Sequence, residues 1–160
     1  MNDLNIFIIA RAVHIIGIVL WIGGVGFTTT VLIPSLKRLT DKGDRLDLFE
    51  KLEGKFSFQA KITTLITGVS GIFMLEFLNA WDRYLHPEFW WMHLMIFIWL
   101  IFTIVLFILE PLVLHRWFKE QATIDSDKSF KWLHRFHIVL FILSIIAILG
   151  GMTGSHGYSF

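Results

Sequence analysis

The sequence predicts an all-α protein, an integral membrane bundle of four helices, and three observations predict it. The 160 residues are 55% hydrophobic, with a mean hydropathy of +0.66, more apolar surface than a soluble domain of this size hides. Four apolar runs approach the ~20 residues that cross a bilayer. Lys and Arg are concentrated in two of the connections between those runs. No repeat, low-complexity tract or composition break divides the chain, so residues 1–160 are expected to form a single transmembrane domain.

The first run covers residues 4–33 and contains "RAVHIIGIVLWIGGVGF". It follows Asp3 with no basic leader and no small-residue cleavage pattern, so it is expected to be a retained span rather than a signal peptide. The connection 34–61 is polar, with Leu46, Phe49, Leu52 and Phe56 at spacings of three and four, which predicts a short amphipathic helix on the membrane surface. The second run, 62–80, carries Thr64, Gly68 and Gly71 as a stripe for close helix packing. The third and fourth runs are 89–114 and 136–152, and Gly150 or Gly151 is expected to end the last helix.

Of the 14 Lys and Arg, seven lie from Lys37 to Lys61 and five from Arg116 to Arg135. The positive-inside bias makes both connections cytoplasmic and puts both termini outside. Trp81, Trp90 and Trp91 then mark the outer interface, and Trp117 and Trp132 the inner one. Trp21 and Trp99 fall deeper in their spans and are expected to pack in the core. The protein is expected to be an integral protein of a bacterial inner membrane. A net charge of +1 suggests no nucleic-acid partner, and the absence of cysteine excludes disulfides, iron–sulfur clusters, covalent haem and thiolate metal sites.

The histidines carry the chemistry. An imidazole in hydrocarbon costs several kcal/mol unless it finds a partner, so His14 is a functional candidate. At ~1.5 Å rise per residue, His14 and His93 fall at similar outer depths and are expected to face one haem b, whose iron takes two axial nitrogens. His86 and His156 lie nearby. Gly17 and Trp21 follow His14 at i+3 and i+7, offering room for the macrocycle, and Arg11 precedes it by three, toward a propionate. His137 and His115 form an inner pair that would hold a second haem. His134 and His137 are spaced to chelate a metal, but Arg116 and Arg135 disfavour a cation there. Glu76 and Glu110 are intramembrane carboxylates able to relay a proton or meet a quinol hydroxyl. Contact with Lys or Arg is the favoured reading of Glu110.

"HIIGIVLWIGGVGF" and "WWMHLM" together resemble the four-helix membrane family that includes the HemJ-type protoporphyrinogen oxidases and the copper-resistance D membrane domains. The resemblance implies haem b, with the first-helix histidine, tryptophan and small-residue pair falling on His14, Trp21, Gly23 and Gly24. The family's third-helix Trp, His, Lys pattern falls on Trp91, His93 and Met95. Met95 replaces the lysine, and the second half of span one has no arginine, so the haem framework is implied more strongly than porphyrin oxidation. The expected function is a membrane b-type cytochrome carrying electrons between the quinone pool or a redox partner and an acceptor. Porphyrin oxidation, copper handling and a non-catalytic place in a respiratory complex or a homo-oligomer are the alternatives.

Overall fold

The computed structural model describes residues 3–38 and 42–155. The side chains of residues 42, 43, 113–116, 119 and 123 lie outside that description, as do residues 1–2, 39–41 and 156–160. Among the described residues there are helices and turns and no strands. Helix α1 (Asp3–Phe27) passes through a π-helical turn (Thr28–Leu32) into α2 (Ile33–Leu36). Then come α3 (Lys42–Phe77), two 3₁₀ turns (Trp81–Leu85 and Pro87–Phe89), α4 (Trp90–Ile104), a π-helical segment (Val105–Leu114), α5 (His115–Ile124) and α6 (Ser126–Gly154). Four stretches are long and apolar enough to span a membrane: Asp3–Leu36, Asp44–Phe77, Pro87–Leu112 and Ser126–Gly154. The protein is thus a four-helix membrane bundle, and its exposed surface is rich in Ile, Leu, Val and Phe, the side chains that lipid solvates.

Both π-helical segments coincide with proline. Pro34 follows the first and Pro111 lies inside the second. A proline ring has no N–H and crowds the carbonyl four residues back, and a shift to wider turns relieves that conflict without breaking the helix. In the first segment, Thr29 and Thr30 hydroxyls donate to Val25 O at 2.6 Å and Gly26 O at 2.8 Å.

One expectation is corrected here. Residues 46–56 do not form a separate helix lying on the surface; they are the first half of α3, which runs 36 residues without interruption. No proline interrupts the stretch, and Gly54 alone does not stop a helix whose apolar period continues on both sides. Phe49 is buried, packing on Phe118 and Phe130 with ring centroids 5.3 and 5.4 Å apart. The last helix also runs past Gly150 and Gly151 to Gly154.

α3 ends at Phe77, and Asn79 beyond it has a φ of 47°, a left-handed conformation that asparagine tolerates. The Ala80 N–H then reaches Leu75 O at 3.0 Å, closing the orphan carbonyls. α1 and α3 run antiparallel as the most intimate pair. Phe7 stacks on Phe77 at one end, and Gly17 meets Thr67 and Gly24 meets Phe56 farther along. α4 and α6 form the second pair, where Gly150 and Gly154 admit the rings of Trp90 and Trp91. The pairs join through Trp21, Val25, Ile98, Phe102 and Leu140. A second core, at the end bearing the two basic connections, gathers Leu32, Ile33, Leu36, Phe49, Phe118, Phe130 and Leu133.

Candidate functional site

His14 lies on the face of α1 that meets α3. Its Nδ1 is 2.9 Å from Thr67 O and 3.1 Å from Ser70 Oγ. A carbonyl can only accept, so Nδ1 carries the proton and donates it, and the lone pair is on Nε2. Gly71 makes room for the ring: a Cβ there would be 3.2 Å from His14 Cε1.

The room that Gly17 offers is filled by α3, since a Cβ at Gly17 would stand 2.5 Å from Thr67 Oγ1. Trp21 is 4% exposed and meets Phe102 edge-on at 4.9 Å. Trp99 crosses from α4 onto Gly68, and its indole N–H donates to Thr64 O at 2.9 Å. Both tryptophans therefore pack in the core, and the Thr64, Gly68 and Gly71 stripe admits neighbours as its small side chains predict. Arg11 is exposed on α1.

His93 is exposed, with Nε2 2.9 Å from Tyr84 O and Nδ1 3.3 Å from Phe89 O, and Tyr84 stands edge-on to its ring at 5.4 Å. Both nitrogens thus serve the 3₁₀ turns that lead into α4. Burial pushes the Tyr84 phenol above its ordinary value.

In the other half of the bundle, His134 donates from Nε2 to Thr29 O at 2.9 Å and accepts from Lys37 Nζ at 3.5 Å. It ties α6 to the start of the first connection. His137 sits between the buried positions Leu133 and Leu140 of α6, donates from Nδ1 to Leu133 O at 2.9 Å, and keeps its lone pair on Nε2. His115 opens α5, but its side chain, like the whole of His156, lies outside the described residues. Met95 packs against Gly151 of α6. Among the described residues no three His, Asp or Glu side chains converge as a metal site.

Two polar features escaped sequence reasoning. The first is a cleft between α3, α5, α6 and the π-helical segment, lined by Phe49, Glu50, Glu53, Glu110, Trp117, Phe118, Trp132 and Leu133. Beside it, the Ser57 hydroxyl donates to Glu110 Oε2 at 2.5 Å and Lys61 Nζ reaches Oε1 at 3.2 Å. The ion pair matches the favoured reading of Glu110, but Ser57 and Glu53 were not singled out. The second is a column of buried hydroxyls on α3: Ser57, Thr63, Thr64, Thr67 and Ser70. Their spacing of three, four and seven was the available signal, and it is easily read as ordinary helix packing.

No family model, curated protein or solved structure matches this chain.

Proposed function

We propose that the chain is an integral membrane b-type cytochrome in which His14 Nε2 would hold haem iron. The observation that carries this reading is the hydrogen bond from His14 Nδ1 to Thr67 O. Metal-bound histidines almost always give the other ring N–H to a carbonyl or carboxylate, which fixes the tautomer and makes the ligating nitrogen more basic. Ser70 Oγ adds a second acceptor, and Gly71 clears the edge of the ring.

The residues present fit a haem on one side only. The α1–α3 seam is closed by the contact of Gly17 with Thr67, so the macrocycle belongs on the side of His14 turned away from α3. On that face of α1 the half-buried Ile18, at i+4 from His14, is the apolar neighbour. Bound haem would supply a one-electron ferric–ferrous couple. His93 is engaged by Tyr84 and Phe89 carbonyls and serves the reading as a prop for its own turn rather than as a second ligand. His137 repeats the His14 pattern on a carbonyl of its own helix, which makes it the candidate for a second haem.

The reading includes an orientation. The Lys- and Arg-rich connections face the cytoplasm of a bacterial cell, both termini face out, and electrons are exchanged with the quinone pool or a membrane redox subunit. The test is the visible spectrum of purified protein, oxidised and dithionite-reduced, with a pyridine haemochrome count. A sharp reduced alpha band, lost in His14→Ala and retained in His93→Ala, is the expected result. A colourless wild type from cells supplied with haem overturns the reading.

A further inference from the structure

The cleft at the end of the bundle that bears the basic connections is built from two kinds of side chain. Among the described residues that line it, four are aromatic, three are glutamates and none is Lys or Arg. α3 contributes Glu50 and Glu53, which at a spacing of three share one face of the helix. Glu110 comes from the π-helical segment, next to Pro111. Trp117 of α5 and Trp132 of α6 meet edge-on with ring centroids 5.5 Å apart. Trp132 is also stacked on Phe136 at 5.8 Å, whereas Trp117 has no further ring neighbour among the described residues. Both tryptophans are partly open, at 41% and 48% exposure, so the cleft has an accessible aromatic side.

The carboxylates of the cleft differ in how their charge is met. Glu110 accepts from Ser57 at Oε2 and from Lys61 at Oε1. Glu53, half-buried in the same wall, takes part in no hydrogen bond or ion pair among the described residues. Its depth makes that costly. Phe56 meets Gly24 across the α1–α3 seam, so Glu53, about one turn earlier on the antiparallel helix, stands near the level of Phe27, whose apolar side chain is 57% exposed. A carboxylate at a depth where the neighbouring helix turns apolar surface outward calls for a counter-charge. The aromatic walls add a second demand, because ring faces attract cations and are best matched by a weakly hydrated ammonium with a carbon shell. A bare metal ion is disfavoured, since rings cannot replace its oxygen ligands and no three His, Asp or Glu side chains among the described residues converge on one point.

We propose that this cleft binds a substituted ammonium group, with its charge met by Glu53 and its carbon shell resting against Trp117. A phospholipid headgroup and a free amphiphilic amine both present this chemistry. Glu110, already neutralised by Lys61, shapes the wall and supplies less of the attraction. Trp132, fixed between Trp117 and Phe136, holds the Trp117 ring in place. Binding is noncovalent, and no bond is made or broken.

The site does not depend on iron at His14, and the colour of the protein plays no part in its test. Purified full-length protein in maltoside micelles is dialysed to equilibrium against radiolabelled phenyltrimethylammonium, with protein-free micelles as the baseline. Saturable binding of the cation above that baseline is expected. Glu53→Gln and Trp117→Leu should each weaken it roughly tenfold, the order of a desolvated cation–π contact. Trp117→Phe, which keeps a ring, and Glu88→Gln, on the exposed turn before α4, should bind like wild type. The uncharged isostere tert-butylbenzene should not compete. Thermal unfolding establishes that each variant keeps its bundle. Displacement by dihexanoylphosphatidylethanolamine, but not by dihexanoylphosphatidylglycerol, assigns the site to a headgroup ammonium, and displacement by neither assigns it to a free amine. Absence of saturable binding, wild-type affinity in either Glu53→Gln or Trp117→Leu, competition by tert-butylbenzene, or equal displacement by the two lipids overturns the proposal.

Discussion

His14 on α1 and the backbone of Thr67 on α3 are joined by a 2.9 Å hydrogen bond across the tightest seam of the bundle. Because the acceptor is a main-chain carbonyl, no substitution of the Thr67 side chain removes it, and the imidazole is held as firmly as the seam itself. The adjustable partner is Ser70. Its hydroxyl gives its proton to Ile66 O at 2.6 Å and presents a lone pair to His14 Nδ1. For the proposed haem, Ser70→Ala should leave binding intact and raise the midpoint potential, because an acceptor on Nδ1 favours the ferric state. A net hydrogen bond of ~1 kcal/mol corresponds to roughly 40 mV for a one-electron couple. A redox titration that shows a fall in potential would contradict this.

The seam also sets opposite expectations for two glycines of α1, Gly17 and Gly23. Among the described residues nothing lies within 4 Å of where a Cβ at Gly23 would be, whereas a Cβ at Gly17 would stand 2.5 Å from Thr67 Oγ1. Alanine is favoured over glycine inside a helix by about 1 kcal/mol, so Gly23→Ala should raise the unfolding midpoint in detergent. At Gly17 the same gain is opposed by overpacking, typically about 1–3 kcal/mol. Gly17→Ala should therefore be destabilising, and Thr67→Ala in the same chain should recover part of the loss. Equal effects at both glycines would show that the seam is looser than this geometry.

Much of the fold was legible because a bilayer imposes a single strong rule: apolar length. The four spans, the core placement of Trp21 and Trp99, and the packing role of Gly68 and Gly71 follow from length, depth and side-chain size. What was hidden depends on where backbone carbonyls point. The depth of His93 could be read from its span, but not that the 3₁₀ turns before α4 bring the carbonyls of Tyr84 and Phe89 onto its ring. The continuity of α3 was concealed by the change from polar to apolar composition near residue 61, although the helical period never breaks. Arg45 was counted among the charges of a connection, and nothing in its local sequence marks it as 5% exposed.

Arg45 fastens the start of α3 to the first turn of α6. It lies 2.6 Å from Asp127 Oδ1, 3.4 Å from Ser126 Oγ and 3.5 Å from Lys37 O, with its guanidinium 5.6 Å from the Phe130 ring centroid. A planar fork satisfies these directions together, and an ammonium does not. Arg45→Lys, which keeps a charge in the same buried place with fewer bonds, should cost roughly 2–4 kcal/mol. Arg45→Met should cost less, because the Asp127 side chain is 56% exposed and its charge is left to water. Chemical unfolding of the two variants decides the order. A lysine variant more stable than the methionine one would mean that charge alone, rather than the fork, holds this corner.

The connection before α4 carries a pH dependence whose sign follows from burial. The Tyr84 phenol is pushed above its ordinary value because the ring is partly buried, edge-on to His93, where the ionised form is poorly solvated. The fold thus favours neutral Tyr84, and the unfolded chain ionises it first, near pH ~10. The stability this provides is complete below that value and is lost as pH rises through the higher folded one. An ultraviolet difference titration should show phenolate forming at Tyr84 later than in an unstructured peptide, and Tyr84→Phe identifies the component by removing it. Because the same residue's carbonyl receives the His93 N–H at 2.9 Å, ionisation should also loosen that histidine. His93 N–H exchange is then expected to accelerate over the same alkaline range more in wild type than in Tyr84→Phe. Exchange that accelerates alike in both would separate the phenol from the turn it sits on.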